Sequence, residues 1–185
     1  MKTANGCKLE KKKECLLIRA DKETDYFIDL LNNYQRANAP FYYQEVDYNF
    51  EIKVCIRPTF KATYDAGAIV VDDQQNWIKA AFEATDLGYP SVVSVVTKTV
   101  SDDCNGEKIE QESVWIRILR QNDYWAIHYS LDGAIWKMVR YFRLNLNPKL
   151  KVGIIAQSPQ GDGCEVEFSN LEISENSCND LRKGK

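Results

Sequence analysis

The chain is predicted to fold as one nearly all-β domain, a sandwich of antiparallel sheets, and two observations carry that prediction. Apolar residues alternate with polar ones at period two in several segments, and turn-forming residues punctuate the chain at short intervals. From Tyr48 onward, runs rich in Val, Ile, Thr and aromatic residues are separated by Gly, Pro, Asn or Asp, and roughly ten strands follow from that rule. With 185 residues, 44% of them hydrophobic, the chain can bury one sizeable core. A single unit over residues 15–174 is expected, between polar, frayed tails at 1–14 and 175–185.

Taken in order, the first departure from strand periodicity is Thr24–Tyr34, where Tyr26, Phe27, Leu30, Leu31 and Tyr34 recur at helical spacing and Thr24 stands where a cap belongs. A short helix is expected there. In Phe50–Arg57, Phe50, Ile52, Val54 and Ile56 alternate with Glu51, Lys53, Cys55 and Arg57, and Pro58 is expected to end the strand. In Trp77–Glu83, Ile78, Ala80 and Phe82 share one face, while Trp77, Lys79, Ala81 and Glu83 share the other. Val114, Ile116 and Ile118 read as core, with Trp115, Arg117 and Leu119 opposite. Each polar face is expected to be wet, so Phe82→Asp should unfold the domain and Lys79→Ala should not. Gln121-Asn122-Asp123 and Leu131-Asp132-Gly133 suit tight hairpins, and Asp102-Asp103-Cys104-Asn105-Gly106 reads as a turn.

Composition excludes several classes. The formal charge of -3 comes from 27 acids and 24 bases scattered along the chain, which leaves no basic field for nucleic acid. After the basic start, Leu16-Leu17-Ile18 is too short for a signal-peptide core or a membrane span, so a soluble cytoplasmic protein is expected. The six cysteines show neither a CxxC pair nor a metal-ligand rhythm and are expected as free thiols; no metal or cofactor is expected.

Several motifs carry a family resemblance. Thr63-Tyr64-Asp65-Ala66-Gly67, Asn76-Trp77-Ile78-Lys79-Ala80 with Glu83, Ser94-Val95-Val96-Thr97 and Ser101-Asp102 come first. Val114-Trp115-Ile116-Arg117, Tyr129-Ser130-Leu131-Asp132-Gly133 with Trp136, and Val152-Gly153 to Ala156-Gln157-Ser158-Pro159 follow in order. Over about residues 15–173 the chain resembles domain-of-unknown-function family 1349, which is similar to a fungal family named for regulating enolase. The resemblance implies a concanavalin A-like jelly-roll sandwich of two antiparallel sheets, the architecture of lectins and glucanases, and implies no particular reaction. The chain departs from the family pattern at Ala81, where a Gly is usual, and at Asp103-Cys104, where Trp-Ser is usual. A Gln usual between Asp65 and Ala66 is absent.

The paired-carboxylate run of retaining glucanases on this fold is missing. Glu110/Glu112 and Glu165/Glu167 read as solvated pairs, so no catalytic residue is assigned. The candidate ligand-binding residues are Trp77, Lys79, Glu83, Trp115, Arg117 and His128, with Tyr124 and Ser130 as neighbours if their strands share a sheet. Such a face would suit a carbohydrate, because aromatic rings pack on C–H patches and charged groups bind vicinal hydroxyls. A cross-strand salt-bridge ladder between Glu83 and Lys79 or Arg117 explains the same residues without a ligand. His128, the sole histidine, is equally explained as a hydrogen-bonded sheet residue.

The expected function is a non-catalytic binding domain with a possible carbohydrate ligand and no nucleic-acid or membrane partner. Two alternatives stay open. One is a glycan-processing enzyme using Glu83 with His128 or Tyr129, which a raised Glu83 pKa in a cleft would favour. The other is a regulatory or scaffold protein that binds another protein through a sheet face, which a large exposed apolar patch would favour.

Overall fold

The computed structural model describes residues 1–31 and 33–185. In chain order the first strands are β1 (Lys2–Ala4), β2 (Leu9–Lys11), β3 (Leu16–Ala20), β4 (Tyr26–Ile28), β5 (Gln35–Ala37), β6 (Phe41–Val46), β7 (Phe50–Thr59) and β8 (Ala66–Asp72). Then follow β9 (Trp77–Ala84), β10 (Pro90–Lys98), β11 (Val100–Lys108), β12 (Val114–Gln121), β13 (Tyr124–Ser130), β14 (Lys137–Arg143), β15 (Leu150–Gln157) and β16 (Cys164–Glu175). They form two seven-stranded antiparallel sheets, ordered β1-β6-β15-β8-β9-β10-β11 and β14-β13-β12-β7-β16-β3-β2, with β4-β5 as a separate hairpin. This is the jelly-roll sandwich of the concanavalin A-like class.

The core follows the alternation. Ile78, Ala80 and Phe82 from β9 meet Ile52, Val54 and Ile56 from β7, Ile116 and Ile118 from β12, and Phe168 from β16 between the sheets. Side chains of successive strand residues point to opposite faces, so each strand commits every second residue to this layer. Gly67 marks a close approach of the sheets: a β-carbon there would collide with Ile56 and Val166. Burying this apolar layer is the main stabilising term of the fold.

Four expectations need correction. In place of a helix over Thr24–Tyr34, a range in which position 32 lies outside the described residues, β4 pairs antiparallel with β5. Tyr26 and Ile28 face an apolar cluster while Phe27 faces away, a period-two pattern hidden by the helical spacing of the neighbouring residues. The termini are not frayed: β1 pairs with β6, β2 pairs with β3, and residues 176–185 lie across the second sheet with Leu181 buried against Leu119 and Ala126. Asp102–Gly106 is extended within β11, paired to β10, and the turn sits at Thr99, whose φ is 73°. Pro58 does not end its strand either, since β7 runs on to Thr59.

The outer faces are also drier than the alternation implies. The hairpin β4-β5 covers part of the first sheet's outer face, where Tyr26, Phe41, Val70, Trp77 and Ala81 form a second apolar cluster. It is fastened by hydrogen bonds from Ile28 N to Ser101 Oγ (3.0 Å), from Ser158 N to Thr24 Oγ1 (3.0 Å) and from Asn5 Nδ2 to Ala39 O (2.9 Å). Among the described residues no helix is long and apolar enough to cross a membrane.

Candidate functional site

Beside the apolar cluster, the same hairpin roofs a cavity of about 290 Å³ on the outer face of the first sheet. Register builds its floor. Lys79 pairs with Val70 on β8 and Val95 on β10, and Val95 pairs in turn with Asp103 on β11. Glu83 pairs with Ala66, which pairs with Gln157 at the end of β15, so Lys79, Glu83, Gln157 and Asp103 all reach the cavity. The roof supplies Asp25, Phe27, Asp29 and Tyr34, and a loop supplies Tyr64, held at a left-handed φ of 68°.

A chain of hydrogen bonds runs along the floor. Lys79, only 2% exposed, donates from Nζ to Asp25 Oδ1 (3.2 Å) and to Gln157 Oε1 (3.1 Å). Gln157 Nε2 donates to the Tyr64 carbonyl (3.1 Å) and to Glu83 Oε2 (3.4 Å). The Tyr34 hydroxyl donates to Asp25 Oδ2 (3.2 Å), and burial next to that carboxylate pushes its pKa up. Glu83 is pushed up to about 7, chiefly by burial, with Asp25, Asp103 and Asp86 adding to the rise and the Lys79 ammonium opposing it. The direction follows from the cost of placing charge in a low-dielectric site. The site therefore offers donors, acceptors and a carboxyl that changes charge near neutrality, flanked by the rings of Phe27, Tyr34 and Tyr64.

The candidate residues divide between the two sheets. Lys79 and Glu83 share the cavity, but they are bridged by Gln157, and the ion pair of Lys79 is with Asp25. Trp77 is 5% exposed, packed edge-on against Tyr26 at 5.6 Å, and presents no free ring face. Trp115, Arg117 and His128 lie on β12 and β13 in the other sheet, so the single polar face that would join all six does not form. Trp115 is half-buried against the turn at Gly133, whose φ is 76°. Arg117 donates to the Gly184 carbonyl (3.0 Å) and stands 3.5 Å from Glu51 Oε1. His128 Nε2 meets the Arg182 carbonyl at 3.3 Å, and burial, with the Arg117 charge adding, lowers its pKa to about 4. Neither enzymatic partner suggested for Glu83 reaches it: Tyr129 faces the core and donates to Glu107.

Sequence reasoning missed Asp25, Phe27, Tyr34, Tyr64 and Gln157. The first three lie in or beside the β4-β5 hairpin, where helical spacing of the neighbouring residues masks the strand period. Tyr64 and Gln157 stand inside motifs already singled out, and only the register shows that they converge. Among the described residues no group of His, Cys, Asp and Glu is arranged to hold a metal ion.

Comparison with known proteins agrees with this architecture. Regulation of enolase protein 1 of Saccharomyces cerevisiae is 26% identical over 159 residues, 85% of this chain and 80% of that protein. A crystal structure of a functionally unknown protein from Saccharomyces cerevisiae superposes with a TM-score of 0.87 at 23% identity, covering 95% of this chain and 96% of that one. The carbohydrate binding module CBM66 from Bacillus subtilis shares the fold at a TM-score of 0.64 and 12% identity, over 94% of this chain and 95% of that one. With residues 4–176 matching its sequence pattern, the chain belongs to the family described as protein of unknown function (DUF1349).

Proposed function

We propose that this protein is a binding domain for a carbohydrate or related polyol, and that the ligand sits in the roofed cavity of the first sheet. The observation that carries this is the bonded row Lys79–Gln157–Glu83 at the floor of an aromatic-sided cavity. A polyol needs closely spaced donors and acceptors for its hydroxyls and ring faces for its C–H patches, and the cavity supplies both. Its volume of about 290 Å³ matches one sugar ring rather than an extended polymer. The shared fold of a carbohydrate binding module supports the reading by analogy. Cytoplasmic residence is part of the proposal, in keeping with six free thiols.

A glycan and monosaccharide panel, followed by calorimetric titration of the full chain, tests it. Binding should fall roughly tenfold or more in Gln157→Leu, the loss of hydrogen bonds to a polar ligand. It should be unchanged in Trp115→Ala. Silence across the panel, or binding that survives Gln157→Leu, would overturn the proposal.

One observation favours a second reading. Glu83 titrates near neutrality inside a cavity, as a general acid would. Under that reading the chain releases reducing sugar and Glu83→Gln abolishes the release. A protein-binding role rests on the exposed Leu30 and Leu31 at the tip of the roof, and is the reading left if no glycan binds.

A further inference from the structure

The outer face of the second sheet holds a second constellation that the sugar reading does not use. Arg117 and His128 are cross-strand partners, 6% and 1% exposed. The guanidinium carbon stands 4.1 Å from the centre of the Trp136 ring. What covers them is the segment Cys178–Lys185, which contributes only neutral backbone acceptors: the carbonyls of Gly184 and Arg182. Arg117 Nε and His128 Nδ1 remain buried with no hydrogen-bond partner. Glu51 pairs with the other side of the guanidinium, 3.5 Å from Nη1. A buried guanidinium whose Nε–H has no acceptor is incompletely compensated even beside one carboxylate, and an oxyanion is the ligand that completes it.

The covering segment is shaped to sit there. Leu181 fills an apolar seat made by Leu119 and Ala126. Gly184 has a φ of +68°, which favours glycine, and a β-carbon on it would meet the Arg117 guanidinium, so a larger residue would push strap and guanidinium apart. These contacts use two apolar side chains, Leu181 and the half-buried Cys178, and two carbonyls, few enough to be exchanged for a better ligand.

We infer that the Trp136–Arg117–His128 face is a binding site for a small oxyanion, a phosphate or carboxylate group, which the chain's own Cys178–Lys185 strap occupies and a ligand displaces. The strap acts as a competitor in cis, so the intact chain binds with an affinity reduced by the fraction of molecules whose strap is released. Carbonyl oxygens hold the two donors in place while the site is closed, and the Trp136 ring keeps the guanidinium plane oriented.

His128 is the chain's only histidine, so its ring resonances in NMR report on this face alone. The full chain, Gly184→Val and Leu181→Asp are titrated separately with inorganic phosphate and with malonate. Release of the strap is followed by hydrogen exchange over residues 178–185. In both variants the strap should lose protection, and at least one anion should shift the His128 resonances at a roughly tenfold lower concentration than in the parent. Phosphate alone identifies a phosphorylated ligand, and malonate alone a carboxylate. Adding Arg117→Gln should abolish the response, and adding Trp136→Leu, which keeps the buried arginine, should weaken it. Release without a gain in anion affinity, a response that survives Arg117→Gln, or a strap that stays docked in both variants would overturn the proposal. Sugar titration of the first sheet is unaffected by any of these outcomes.

Discussion

The two outer faces of the sandwich carry the same sequence signal and reach opposite ends. Each places a cation in mid-sheet, Lys79 on β9 and Arg117 on β12, beside a second titratable group, Glu83 or His128. Over the first, the hairpin β4-β5 arches and leaves a cavity, and Lys79 has both a carboxylate and an amide as acceptors. Over the second, the Cys178–Lys185 strap lies flat, and the Arg117 Nε–H is left without an acceptor. The cover, rather than the strand beneath it, decides whether a polar sheet face becomes a pocket or a closed seam.

The largest expected effects probe how tightly each face is compensated. Lys79→Ala should destabilise by about 3 kcal/mol or more, because it strands Asp25 and Gln157 in a buried site. This reverses the expectation of a harmless surface change. Trp77→Ala should cost a similar amount, as large-to-small changes in a packed cluster do, while Trp115→Ala on the opposite face should cost under about 2 kcal/mol. Urea denaturation of the three variants checks the order; equal costs would erase the difference between the faces.

A pH series sharpens the comparison, because the two titratable groups pull in opposite directions. Glu83 is raised from 4.5 to about 7 in the folded chain, so its contribution to stability is complete below pH 4.5 and is lost as pH rises to 7. His128 is lowered from 6.5 to about 4, so its contribution is complete above pH 6.5 and is lost as pH falls to 4. Each swing is on the order of 3 kcal/mol, and the two nearly cancel in the parent. Glu83→Gln should therefore gain stability as pH rises through this window, and His128→Gln should lose it. Parallel melting curves for the two variants would contradict the opposed assignments.

The smallest effect belongs to Gly184→Ala. Removing the strap's fit should cost about 1 kcal/mol and show mainly as faster hydrogen exchange in residues 178–185, with little change in melting temperature. A melting shift as large as that of Trp77→Ala would mean that the strap is integral to the core.

Much of the sandwich was legible because alternation in Phe50–Arg57, Trp77–Glu83 and Val114–Arg120 directly encodes which residues meet the core. Alternation is silent about the other side. It cannot say that Lys79 lies under Tyr34 and Phe27 or that Arg117 lies under Gly184, since those covers come from segments more than forty residues away in sequence. Glu83 and Lys79 were found because charge on a strand is conspicuous. Gln157 was not, although its amide joins them, because a glutamine at a strand end has no distinctive signature. Asp102–Gly106 looked like a turn by composition, yet as an edge strand β11 needs no apolar side chains on its exposed positions.

The Gln157 amide also gives the cavity floor a direction. One end of an amide accepts and the other donates, and the Lys79 ammonium fixes which is which by claiming Oε1. Turning the group over would set its N–H against that ammonium and break the bond to the Tyr64 carbonyl. Ammonium, amide and carboxyl therefore follow one another in a fixed, non-palindromic order. A polyol in the proposed site would meet these groups in one direction and not in the reverse.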